Sequence, residues 1–179
     1  MYCNKILRYK ISIEFINLTC MNYKDFNKEF QSHINNLEYR KQYELAIAIC
    51  KKLFPDYKDF YIENHWGNPD ILIDAIELCE LYLQNKTDIT DLKEMLPKID
   101  SIIPDTGDFG NASYALNAGG AVYETLEFII DRDQKHILNI GTYLTDTIDF
   151  KIQEYSELSE QQIDSHPMMV DARDFLMSS

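Results

Sequence analysis

An all-α, single-domain bundle of about seven or eight helices is the fold class this sequence predicts, and three observations predict it. Only six glycines and five prolines occur in 179 residues, and scarcity of both breakers favours long helices over many short strands. From Tyr23 onward apolar residues recur at spacings of three and four, the period of a helix with one buried face. Helix starts also carry their capping residues, as where Asn68 precedes Pro69.

Residues 1–20 read as an N-terminal extension, either dispensable or a weak strand, since KISIEF alternates apolar and polar side chains. Lys5, Arg8 and Lys10 precede an apolar run in the manner of a secretion signal. Glu14 interrupts that run and no small-residue cleavage site follows, which argues against a signal. Met21 offers a second start. The helical domain then covers 21–179. Its first helix is expected over 24–35. A second, over 37–53, should end at Pro55, because a proline disfavours helical geometry in the residue before it. A short helix over 56–63 presents Tyr57, Phe60 and Tyr61. Asn68 and Pro69 open a helix running to about Gln84.

The periodicity continues over 90–102, with a break expected near Pro97. After the loop IIPDTGDFGN, Asn111 is placed to cap a helix over 112–131. That helix carries Gly119 and Gly120 side by side, and each costs about 1 kcal/mol relative to Ala. Close approach of another helix is the simplest compensation. Further helices are expected over 134–155, over 160–165 from the Ser159–Gln162 capping box, and from Pro167 to about Leu176.

The formal charge is −13, and it is unevenly spread. Residues 1–55 carry nine Lys/Arg against five Asp/Glu, or +4; residues 56–108 carry four against thirteen, or −9; residues 109–179 carry four against twelve, or −8. An acidic surface over the later two thirds disfavours direct contact with nucleic acid, whose phosphates need basic groups. It would attract and steer a basic protein. No stretch of 18 apolar residues marks a membrane span. Cys3, Cys20, Cys50 and Cys79 form no CxxC pair. They read as small core residues of a reducing, cytoplasmic protein.

Catalytic signatures are missing: there is no HExxH, GxSxG, P-loop or GxGxxG. His33, His65, His136 and His166 are far apart, and no His/Asp pair has zinc spacing on one helix. No cofactor or metal is therefore expected. Within residues 105–110 stand DTG and DFG, trigrams of aspartic proteases and of kinases. Both lack the motifs that accompany them in those enzymes, so Asp105, Thr106, Gly107 and Asp108 read as turn-makers. The carboxylate pairs Glu124/Glu127 and Asp146/Asp149 read as solvated helix faces. Twelve tyrosines and one tryptophan exceed what a core of this size needs, and both residue types favour interfaces.

The pieces AIAICKKLFPDYKDF (46–60), WGNPDILIDAIEL (66–78), IPDTGDF (103–109), ALNAGGAVYETLEF (115–128) and LSEQQIDSHPMM (158–169) occur in an order and spacing that resembles the YjaG-like family, bacterial proteins of unknown function. The resemblance runs from about Leu37 to Asp174. It implies an all-α fold and brings no catalytic residues. Residues 1–20 lie outside it, and relatives look longer by a helix beyond Met177.

The favoured expectation is a non-enzymatic immunity protein of a contact-dependent or polymorphic toxin system. Such a protein would occlude the active-site cleft of a basic toxin domain, most plainly a nuclease. Asp70, Asp74, Glu77 and Glu80 fall on one helix face. With Asp105, Asp108 and Trp66 they are the residues expected to meet the partner. The alternatives are a housekeeping protein with an unknown interaction role, and an enzyme whose carboxylates or His65 assemble across helices.

Overall fold

A computed structural model of the chain describes residues 21–154 and 157–178. The extension expected over 1–20 lies outside the described residues. Eight helices and no strand occur among the described residues: α1 (Tyr23–Asn36), α2 (Tyr39–Asn64), α3 (Pro69–Leu83), α4 (Ile89–Asp100), α5 (Ala112–Asp131), α6 (Gln134–Gln153), α7 (Glu160–Asp164) and α8 (Pro167–Met177). They enclose one hydrophobic core, to which α1 supplies Phe26, Phe30 and Ile34 and α2 supplies Tyr43, Ile49, Leu53, Tyr57 and Phe60.

Helix α5 is the central element and packs on α2, α3, α4 and α6. Its small residues make that possible. A Cβ on Gly119 would stand 2.7 Å from Ile103, in the segment after α4, and one on Gly120 would stand 2.7 Å from the Tyr143 ring of α6. The helical cost of the two glycines is thus offset by close packing on two sides. Polar pairs cross the same interfaces: Asn117 donates to the Thr147 hydroxyl at 3.0 Å, and the Cys50 sulfur lies 3.2 Å from the Thr125 hydroxyl.

Two expectations about helix limits are corrected. Helix α2 runs unbroken through Pro55, so the segments expected over 37–53 and 56–63 are one helix. Pro55 is exposed, and the bond it cannot make would have reached the carbonyl of Lys51, also exposed and so open to solvent. Tyr57 and Phe60, at 0% and 2% exposure, hold the second half of the helix in the core. Helix α4 likewise continues past Pro97, which is also exposed.

Other start signals hold as read. Asn68 accepts from the backbone N–H groups of Asp70 and Ile71, and Ser159 with Gln162 forms the capping box of α7. Asn111 occupies the N-cap position of α5 without capping it by its side chain. It instead donates to Glu63 at 2.6 Å and accepts from Asn64 at 3.0 Å, tying α5 to the end of α2.

Candidate binding surface

The acidic residues expected to meet a partner divide into two groups. On α3, Asp70, Asp74 and Glu77 share one exposed stripe, and exposed Leu81 continues it. None of the three acids forms an ion pair among the described residues. Glu80 is turned toward α2 and is held by Lys51 at 2.6 Å. Asp70 lies in the first turn, where a negative charge also complements the helix dipole.

The second group gathers at the end of α2. Trp66 is half-buried, its ring centroid 6.2 Å from Phe60 and 5.7 Å from Phe109. The Phe60–Phe109 pair closes the triangle at 5.3 Å, edge to face. This aromatic cluster sets the loop before α5 beside the turn that leads into α3. In that loop Asp105 accepts the Gly107 N–H at 2.7 Å, and its carbonyl accepts the Asp108 N–H at 3.1 Å. Asp105 therefore makes the turn, as read from sequence, while both carboxylates stay exposed.

Beside the cluster lies a cleft that sequence reasoning missed. It has a volume of about 240 Å³ and is formed by Asp56, Asp59, Phe60 and Glu63 of α2, Asn111 and Tyr114 at the start of α5, and Lys151 and Glu154 near the end of α6. Lys151 bonds Asp56 at 2.6 Å, and Asn111 occupies one oxygen of Glu63. Asp59 and Glu154 have no ion pair among the described residues. Phe150, 40% exposed, stands edge-on to Tyr114 at 6.1 Å. Carboxylates flanked by rings suit a guanidinium or ammonium group on an apolar stem. Asp56, Asp59 and Glu63 have helical spacing within the segment expected over 56–63, but nothing local to that segment announces Asn111, Tyr114, Lys151 and Glu154, which complete the cleft.

The paired carboxylates are not the freely solvated faces expected, since Glu124, Glu127, Asp146 and Asp149 are all half-buried. His136, at the start of α6, meets Glu124 through Nδ1 and Asp131 through Nε2 at 3.1 Å. Asn139 supports Glu124 at 2.9 Å. Burial opposes the charge on His136, but the hydrogen bonds and charges of Glu124 and Asp131 outweigh it and raise its pKa. Glu127, Asp131 and His136 place three donor atoms within 4.8 Å of one another, a grouping that could hold a cation. Both imidazole nitrogens are already engaged, however, so a metal would have to displace Asp131 from Nε2. The network is more simply a clasp between the end of α5 and the start of α6. His65 is exposed and forms the left-handed C-cap of α2. His166 caps α8 through its Nδ1.

Cys50 and Cys79 are buried free thiols. No helix is long and apolar enough to cross a membrane among the described residues.

Comparison with known proteins agrees with this architecture. A crystal structure of a DUF416 family protein from Shewanella baltica superposes with a TM-score of 0.73 at 22% identity, over 82% of this chain and 80% of that one. The likeness establishes the shared helical fold. No curated protein matches the sequence significantly. The family model described as "Protein of unknown function (DUF416)" matches residues 29–178, and the chain belongs to that family.

Proposed function

We propose that this protein acts by binding rather than by chemistry, and that its partner is a basic protein held on the acidic end of the bundle. The observation that carries the reading is the α2–α5–α6 cleft. There four carboxylates face one lysine, beside Tyr114 and exposed Phe150. Asp70, Asp105 and Asp108 add negative charge around the Phe60–Trp66–Phe109 cluster. An acidic face with aromatic anchors favours fast, salt-sensitive association with a basic surface. In its specific form the reading makes this an immunity protein, with the bundle end covering the substrate cleft of a basic toxin domain.

The test is a protection assay. The chain is co-expressed with whatever candidate toxin domain is found encoded beside its gene, and surviving cells are counted. Survival with the chain, death without it and a purified complex are expected. Death in both cases overturns the immunity form. With a complex in hand, Asp59→Lys together with Glu154→Lys should slow association about tenfold at low salt and much less at high salt. An unchanged on-rate would remove the cleft from the interface.

A further inference from the structure

A second cavity, of about 520 Å³, opens between the start of α1, the later part of α6, α7 and the start of α8. It is as large as a site for a drug-sized molecule, with room for more than one side chain. Tyr23, Ile163 and Met169 give it an apolar wall, and Tyr23 is 44% exposed. Another part of the wall is acidic. Asp149 on α6 and Glu160 at the start of α7 form no ion pair with any described residue. Asp146, one turn before Asp149, is half-buried and has no hydrogen bond or ion pair to any described residue. Burial, and then the neighbouring Asp149 charge, raise its pKa. Asp164 is taken by Arg173, and Lys24 is the other cation on the wall.

The chain enters the described fold at this cavity. The buried Arg173 guanidinium donates to the Met21 carbonyl at 2.6 Å, and the next three residues, Asn22, Tyr23 and Lys24, line the cavity. Residues 1–20 therefore lead in from its edge. Twelve of these twenty are apolar, against 45% of the whole chain, and so apolar a run gains by leaving water. The same residues carry Lys5, Arg8 and Lys10 against Glu14. Their charge is +2, so the total of −13 leaves −15 on residues 21–179, and the opposite signs draw the segment onto the bundle. Lys10 stands eleven residues before Met21, up to about 36 Å of extended chain, so reach does not limit the contact.

We propose that residues 1–20 fold back across this cavity and cover it. Apolar side chains of the 11–18 stretch fill the wall of Tyr23, Ile163 and Met169, and the basic residues Lys5, Arg8 and Lys10 pair with Asp149 and Glu160. The chain is thus its own occupant. A tether at the cavity edge holds the segment at an effective concentration on the order of millimolar, which a free partner would have to exceed. The two parts of the wall match the two characters of the segment: apolar against apolar, acidic against basic.

Zero-length carbodiimide coupling of the unaltered full chain, in dilute solution, tests the contact, because it joins a lysine to a carboxylate only where the two touch. Mass mapping of the monomer should find Lys5 or Lys10 linked to Asp149 or Glu160 about tenfold more often than to Asp70, Asp74 or Glu77 on α3. Trypsin should cut after Arg8 and Lys10 about tenfold faster in the double variant Asp149→Lys with Glu160→Lys than in the unaltered chain, with the helical circular dichroism retained. Asp74→Lys should leave that cleavage unchanged. Links confined to dimers would give the cavity to the segment of a second copy and overturn the proposal. Links spread evenly over the acidic residues, or cleavage equally fast in all three proteins, would overturn it as well.

Discussion

The Tyr57 hydroxyl occupies the space that a Cβ on residue 67 would need. It donates to the Ile102 carbonyl at 2.7 Å and accepts the Asn68 N–H at 3.2 Å, and Gly67 turns beneath it with φ +89. One phenol thus joins α2, the turn into α3 and the segment after α4. Gly67→Ala suffers both a left-handed backbone and overlap with that oxygen, and should cost about 2–3 kcal/mol in urea denaturation. Tyr57→Phe removes the hydrogen bonds alone and should cost about 1–2 kcal/mol. If Gly67→Ala loses less than Tyr57→Phe, the turn is not held as described.

The buried thiols should be chemically silent. Burial pushes Cys50 up to about 12 and raises Cys79 as well, and the thiolate is the reactive form. Alkylation of the native protein near pH 8, followed by mass mapping, should leave both unmodified, and denaturant should expose them together. Labelling of either in the native state would contradict their burial.

The His136 clasp should make stability depend on pH. Its folded pKa is raised, so its contribution is full below the unfolded value and fades as pH rises through the folded one. His136→Gln should therefore lose about 1 kcal/mol near pH 5.5, and much less near pH 8.5. A cost equal at both pH values would mean that the imidazolium charge contributes nothing. The imidazole titration, followed by NMR, should lie above the usual histidine midpoint.

Asp146 has the opposite sign. A carboxylate whose folded pKa is raised destabilises the protein once it ionises. Asp146→Asn should raise stability by about 0.5 kcal/mol near neutral pH, a modest gain suited to a half-exposed group. The gain should vanish in acid, where Asp146 is protonated. A loss of stability at neutral pH would point to a partner for the carboxylate.

The helical architecture was legible because its signals are local. Asn68 before Pro69, Ser159 before Gln162 and the Gly119–Gly120 pair each state their role within a few residues. Pro55 misled because the cost of a helical proline depends on which face it occupies, and only packing decides that. Asn111 misled because a side chain at an N-cap can be drawn to a better partner, here Glu63, which is 48 residues away in sequence. The exposed acidic stripe of α3 follows from helical spacing. The cleft does not, because its walls come from three helices whose register is set by the core. Glu124 and Asp146 looked solvated because nothing in their own helices announces the neighbour that covers them.

Arg173 bonds the Met21 carbonyl across 152 residues, so the helix that opens the described chain is clamped by the one that closes it. A ribosome delivers α1 long before α8. During synthesis Phe26 and Phe30 stay uncovered until α6 and α8 follow, and the contact from Arg173 to Met21 is a closure of high sequence separation, the kind that slows folding and exposes apolar surface.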